Sequence, residues 1–363
     1  MLSSEGWPYL LVPAIPAAVA LELVHAPAEA VFFCSAAGVI PPAALMGRAT
    51  EELAHRSGPG IGGLLNVTFG NAPELIIALF ALAAGLHEVV KASLIGSILG
   101  NVLLVLGAAM LVGGWTRERQ HFDRTAAAAQ ATMLLLAVVA MVMPAIFELV
   151  DGRGLPSVGD KRISFGATVE RLSFAVAAVL LLTYAAGLVF SLRTHRDLFN
   201  PPADDEEAPR PWSIRRSVVM LAIAGVAVGA MSEVLVGSIT EAAESVGLSE
   251  FFIGVIVVAV VGNAAEHWVA VLVAAKDKMD LAVNIAVGSG AQIALFVAPV
   301  LVLASFVLGP APMALVFNGF ELGAVFLAVL IASHVTLDGE STWFEGLQLL
   351  AVYLVLGIVF FFA

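Results

Sequence analysis

The chain has 363 residues, 60% of them hydrophobic and only 13% charged, with a formal net charge of −12. A soluble globular protein carries about 45–50% apolar and about 25% charged residues, so most of this chain meets lipid rather than water, and the acidic balance excludes a basic nucleic-acid-binding face. A single cysteine, Cys34, excludes an intrachain disulfide and reads as a small packing residue in an apolar segment.

From the N-terminus, Met1 to Trp7 carry Glu5 and no Lys or Arg. The positive region of a signal peptide is missing, so the apolar run that follows reads as a retained first helix. A membrane span needs about 20 mostly apolar residues. Eleven stretches qualify: 7–24, 28–47, 60–85, 89–113, 126–149, 168–191, 215–243, 249–275, 281–308, 313–335 and 343–362. Pro41 and Pro42 interrupt the second of these. The clearest breaks are 151–167 and 192–213. The latter sets Asp204, Asp205, Glu206 and Glu207 among Pro201, Pro202, Pro209 and Pro211, and reads as a solvated linker between two halves.

Basic residues predict the orientation. With eleven spans, one side collects Arg48, Arg56, Arg117, Arg119, Arg124, Arg193, Arg196, Arg210, Arg215, Arg216, Lys276 and Lys278. The other collects only Lys91, Arg153, Lys161, Arg162 and Arg171. The richer side is expected to be cytoplasmic. That places the N-terminus and the acidic linker inside and the C-terminus outside, in the plasma (inner) membrane for want of any targeting extension.

The sequence also repeats itself. GNAPELIIALFALAAG from Gly70 and GNAAEHWVAVLVAAKD from Gly262 share one offset, which aligns Asn71 with Asn263 and Glu74 with Glu266. The same offset aligns Gly96 with Gly288 and Ser97 with Ser289. Upstream, LMGRATEELA (45–54) echoes LVGSITEAAE (235–244). The copies start five spans apart, an odd number, so the second crosses the membrane in the opposite sense. Inverted repeats of this kind place a substrate site near the bilayer midplane, where the halves meet. The expected fold is an all-α integral membrane protein of about eleven transmembrane helices. Residues 1–27 form an extra N-terminal helix, 28–191 the first inverted repeat, 192–213 an acidic cytoplasmic linker and 214–363 the second repeat.

Glu74 and Glu266 fall well inside their spans, where a carboxylate costs roughly 2.5–3.5 kcal/mol on insertion scales and marks an ion pathway. Asn71 and Asn263 lie three residues earlier, on the same helix face as their Glu. Two such copies offer two carboxylates and two amide oxygens, a hard-oxygen cage of the type Ca²⁺ prefers. Backbone oxygens are expected to help. Pro73 lacks an N–H and clashes with the Phe69 carbonyl, while Gly70 and Gly262 allow local unwinding. Ala265 stands where the first copy has Pro73, so the two need not be equally broken. Ser97 and Asn101 share a face of the next helix, and Ser289 and Gln292 share one in its counterpart; they line the cavity or glue helices together.

Two carboxylates are neutralised by one Ca²⁺ or by two protons, and bare they are costly in a low-dielectric site. Calcium and protons would then compete for a coupled pair, with no cofactor beyond the transported ions. Glu51, Glu52, Glu233 and Glu241 flank the repeat cores and are candidates for an access path or secondary proton sites, with interfacial solvation the alternative. Glu148, Glu170 and Glu321 read as structural, and His267 as a packing or hydrogen-bonding neighbour of Glu266, about 100° around the helix. No feature indicates an oligomer.

GNAPEL (70–75) and GNAAEH (262–267), each followed by a helix containing Gly-Ser, resemble the calcium/cation–proton exchangers of the calcium/cation antiporter superfamily. The resemblance spans roughly 35–362. It implies eleven helices with the first outside the repeats, Glu74 and Glu266 as central ion ligands, and Ca²⁺/H⁺ antiport by alternating access. Pro73 before the acid is more reminiscent of the sodium/calcium branch. The hydroxyl residues that branch usually carries are replaced by Gly70 and Asn71, and its extra acid by Ile293. Sodium/calcium exchange is the alternative. An intramembrane enzyme is less supported, since the chain lacks H-E-x-x-H, G-x-S-x-G and a P-loop.

Overall fold

The computed structural model describes residues 6–160, 162–194 and 212–363, and the backbone alone at 55, 57–64, 66 and 67. The acidic run 204–207, with Lys161, Arg196 and Arg210, lies outside the described residues. Among the described residues eleven helices follow one another: α1 (Trp7–Leu23), α2 (Ala28–Phe69), α3 (Ala72–Ala83), α4 (His87–Gly114), α5 (Arg124–Val150), α6 (Ala167–Thr194), α7 (Ile214–Val246), α8 (Glu250–Ala275), α9 (Met279–Ala304), α10 (Gly319–Val335) and α11 (Trp343–Phe362). Eight stretches within them are long and apolar enough to cross a membrane; α1, α3 and α10 are shorter apolar helices.

Local chemistry starts several of these helices. Asp123, Ser213 and Ser249 each accept a backbone N–H from the first turn of α5, α7 and α8. Capping boxes open α10 (Asn318 with Glu321) and α11 (Thr342 with Glu345). The polypeptide closes α7 at Gly247, whose φ of 71° is the left-handed conformation of a helix C-terminus.

Three expected spans change shape. The boundary between the stretches 28–47 and 60–85 moves: α2 runs unbroken to Phe69, with Pro41 and Pro42 inside it, and the rest of the second stretch is α3. A proline removes one donor, and a neighbouring helix can make good the loss; α2 packs extensively along α7. The break falls instead at Gly70–Asn71, where Pro73 has no N–H to offer Phe69. The expected span 313–335 becomes helical only at Gly319. Residues 313–318 are extended and buried, and their backbone is served by side chains: Ser305 accepts from Met313 N at 2.7 Å, Ser173 accepts from Leu315 N at 3.0 Å and Lys91 donates to Val316 O at 2.7 Å. Extended backbone at membrane depth is tolerated where protein buries and satisfies it in this way.

Helices α4 and α9 form the centre. In each, 78% of the apolar window is buried, against 22% in α6 and 17% in α11, which face outward. Small residues let the central helices approach closely. A Cβ on Gly96 of α4 would lie 2.6 Å from the Val255 carbonyl carbon of α8, and one on Gly254 of α8 would lie 2.9 Å from Ala92 Cβ of α4. Both helices, and α9, contain a π-helical turn, at Gly100–Val105, Ile253–Val258 and Ile293–Val297. On one face of the bundle a two-stranded strap pairs β1 (Gln120–His121) with β2 (Glu340–Ser341), joining the α4–α5 and α10–α11 connections.

Candidate functional site

The break after Phe69 sets up the first acid. Asn71 occupies the N-cap position of α3 but makes no capping hydrogen bond. Its amide reaches across the bundle instead, Nδ2 donating to Gln292 Oε1 of α9 at 2.7 Å. That leaves Asn71 Oδ1 buried without a partner. Glu74 follows in the first turn of α3, where the helix dipole favours negative charge. Both of its carboxylate oxygens are buried with no hydrogen-bond partner in another residue.

The second acid sits on an unbroken helix. Gly262, Asn263 and Glu266 lie within the continuous helical run Ala259–Ala275, consistent with Ala265 in place of proline. Asn263 Nδ2 donates to Ser97 Oγ of α4 at 3.1 Å and to the Ala259 carbonyl at 2.9 Å, leaving Asn263 Oδ1 buried and unpartnered. Glu266 Oε2 accepts from Ser289 Oγ of α9 at 3.1 Å. The Glu74 side chain lies against Gly262, one helical turn before Glu266, and the charges of the two acids interact.

The amides are tied crosswise. Asn71, before the linker, donates to Gln292 after it, and Asn263, after the linker, donates to Ser97 before it. Each amide thus spends its donor on the far half and keeps its carbonyl oxygen free. Among the buried atoms without a partner are Asn71 Oδ1, both oxygens of Glu74 and Asn263 Oδ1. Buried polar atoms are nearly always hydrogen-bonded, so this run of orphaned acceptors could hold a cation. All are hard oxygen donors. Among the described residues there is no group of three or more His, Cys, Asp or Glu that could hold a metal.

The remaining predicted residues divide. Asn101 is fully buried inside the π-helical turn of α4, both its polar atoms unpartnered, and Gln292 directly precedes the π-helical turn of α9. Such turns are frequent at functional sites. His267 points to α4, its Cε1 3.7 Å from where a Cβ on Gly100 would stand. Of the four flanking acids, exposed Glu51 lies within electrostatic reach of Glu266. Glu52 instead accepts from Trp212 N at 2.8 Å, tying α2 to the start of α7. Arg48 and Arg216 flank the Trp212 ring there, at 5.2 and 4.3 Å from its centroid. Glu233 and Glu241 are exposed along α7.

Sequence reasoning missed the contact of Gln130 Nε2 on α5 with Asn284 Oδ1 on α9. It lies beside the site, since a Cβ on Gly288 would stand 3.3 Å from Asn284 Oδ1. The repeat offset pairs Asn284 with Ala92, so a search for matched polar positions passes over it. A polar residue within an apolar span was the available signal.

Similarity to known proteins covers most of the chain. The sodium/calcium exchanger protein family matches residues 28–193 and 216–362. A Ca²⁺/H⁺ antiporter of Aphanothece halophytica is 44% identical over 96% of this chain and 94% of its own length. The Ca²⁺/H⁺ antiporter ChaA of Bacillus subtilis is 45% identical over 97% of this chain and 98% of its own. Among solved structures, native YfkE superposes with a TM-score of 0.82 at 42% identity, covering 98% of this chain and all of that one. The H⁺/Ca²⁺ exchanger CAX superposes at 0.72 with 15% identity over this whole chain and 93% of its own, a likeness of fold.

Proposed function

The chain belongs to the sodium/calcium exchanger protein family, and on that premise we propose that it exchanges calcium for protons across the membrane, the two cargoes competing for Glu74 and Glu266. One observation carries the reading: both oxygens of Glu74, whose charge interacts with that of Glu266, are buried without a partner, as are the amide oxygens of Asn71 and Asn263, whose amide nitrogens donate elsewhere. Leaving two bare carboxylates there costs several kcal/mol per charge. One Ca²⁺ neutralises both, and so do two protons. Only the neutral forms reorient readily, so each cargo returns when the other leaves.

Asn71 and Asn263 supply neutral oxygens, and Ser289 holds Glu266 in place. The broken α2–α3 junction adds the Phe69 carbonyl, which Pro73 cannot occupy. Glu51 marks the access path, as an exposed acid within reach of Glu266. We place the strap face, which carries Arg117 and Arg119, and the Trp212 cluster with Arg48 and Arg216 in the cytoplasm. The N-terminus is then inside and the C-terminus outside, in the plasma (inner) membrane. Residues 28–191 and 214–363 act as the two inverted repeats, with 1–27 outside them and 192–213 between.

The test is calcium flux in proteoliposomes under an imposed pH gradient. Wild type accumulates calcium against its gradient, and Glu74→Gln and Glu266→Gln each abolish this. Unimpaired exchange in both variants overturns the site. Flux driven by a sodium gradient at clamped pH, but not by a pH gradient, overturns the choice of counter-ion.

A further inference from the structure

A second polar cavity, of about 180 Å³, lies at the end of the bundle away from the strap, lined by parts of α4, α7, α8 and α10 and by the α5–α6 connection. Glu321 lines it and is 2% exposed. One oxygen of Glu321, Oε2, accepts from Asn318 N at 2.7 Å and so caps its own helix. The other, Oε1, is buried with no partner. The capping role that reads as structural in the sequence therefore occupies half of this carboxyl group.

Lys91 is the charge nearest in kind. Buried at 7% exposure on α4, it lines the same cavity and donates to the Val316 carbonyl at 2.7 Å. Its ammonium stands 5.2 Å from the Phe165 ring centroid. It is within electrostatic reach of Glu321 without forming an ion pair with it. The other charges are accounted for on each wall. From α4, Glu88 accepts from Gly159 N at 2.8 Å, and His87 is 3% exposed with Nε2 unpartnered. From the α5–α6 connection, Arg162 is held between Asp160 (3.7 Å) and Glu148 of α5 (3.9 Å). From α8, Glu250 completes the lining.

A buried carboxyl oxygen with no donor is costly as an anion, and among the described residues no group of three or more His, Cys, Asp or Glu could hold a metal ion there. A proton needs only the one free oxygen. We propose that Glu321 is a further proton-binding carboxyl, separate from Glu74 and Glu266, loaded from the solution on the cavity side, with Lys91 as the charge that sets its occupancy. Water in the cavity delivers the proton, Oε1 takes it as an O–H, and the same water removes it. Lys91 and Ser97 share α4, six residues or about 9 Å apart along its axis, so the state of this site bears on the helix that holds Asn263. The role in transport rests on the antiport reading above; the proton site itself does not.

The experiment has two readouts. The first is infrared difference spectroscopy of the purified full chain on stepping the pH, reading the protonated-carboxyl band. Glu321→Gln, whose amide oxygen can still cap Asn318 N, is expected to lose one such band. Lys91→Gln is expected to keep it but move its midpoint to higher pH by on the order of one unit, because a neighbouring cation favours the carboxylate. The second is calcium flux in proteoliposomes with pH varied on the cavity side alone, where Glu321→Gln is expected to flatten the dependence at least threefold. Bands that are unchanged in Glu321→Gln, or unmoved in Lys91→Gln, overturn the proton site. A flux profile superposable on wild type overturns its part in transport. Wild type lacking pH-driven flux altogether while the band still depends on Glu321 overturns the antiport reading and leaves the proton site standing.

Discussion

Glu74 lies against the bare backbone of Gly262: a Cβ there would stand 3.2 Å from Glu74 Cγ and 3.7 Å from its Cδ. Gly262 and Glu266 are four residues apart on α8 and so share a face. By resting on the glycine, the acid of α3 is brought onto the face that carries its counterpart. The missing side chain thus lets the acid of one half of the chain rest on the helix that carries the acid of the other.

Gly262→Ala should weaken calcium binding without unfolding the protein. The added carbon displaces Glu74 by a few tenths of an ångström. Overpacking of this kind costs about 1 kcal/mol at the low end, roughly fivefold in affinity. Gly262→Val should abolish exchange. Isothermal calcium titration, with thermal unfolding as control, checks both; an unchanged affinity in Gly262→Val would mean that this contact does not shape the site.

Ser289→Ala should alter the competition between calcium and protons. The Ser289 hydroxyl donates to Glu266 Oε2 at 3.1 Å and so favours the charged form. A hydrogen bond to a charged group contributes about 1.5–3 kcal/mol. Its loss favours the protonated form, so the pH at which protons displace calcium should rise by about one unit. Calcium binding measured across pH reads the shift, and a midpoint that stays or falls contradicts the geometry.

Gln292→Leu should cost calcium affinity about tenfold, although Gln292 is not itself among the central oxygens. It holds Asn71 Nδ2 at 2.7 Å and so aims Asn71 Oδ1. Leaving that amide without its acceptor costs about 1–3 kcal/mol. Calcium titration of the variant, beside Ser97→Ala for the mirrored Asn263 contact, tests whether both ties matter. Wild-type affinity in both would show that the amides need no such aiming.

Gly96→Val should prevent correct assembly, because even a Cβ there would lie 2.6 Å from the Val255 carbonyl carbon. Monodispersity and thermal unfolding in detergent are the measurements. Glu340→Ala is the contrasting surface change. It removes the exposed Arg119 pair at 2.6 Å and should shift stability by less than about 1 kcal/mol.

Much of this was legible in order. Apolar runs of span length placed nearly all the helices, since lipid leaves the backbone little choice but to bond within each segment. GNAPEL and GNAAEH singled out Glu74 and Glu266 because a carboxylate inside a span needs a reason. Pro73 foretold the break that separates α2 from α3, whereas the unwinding expected at Gly262 does not occur, because with Ala265 in place of proline every backbone N–H stays available and α8 runs straight through it. Hydropathy could not say that 28–69 forms one helix, because proline and glycine in a membrane helix are resolved by what packs beside them. Nor could it divide the flanking acids: Glu51 and Glu52 are adjacent in sequence, yet one reaches toward Glu266 while the other ties down Trp212.

The sequence alone determined the lipid-embedded helical class, most span positions and the acids placed inside spans, because hydrophobic length and the cost of a buried charge are local properties. Tertiary structure decided which oxygens stay free. That depends on where each amide spends its donor, Asn71 on Gln292 and Asn263 on Ser97, and on Gly262 being opposite Glu74. Contacts between residues some 170 to 220 positions apart exist only once the helices have packed.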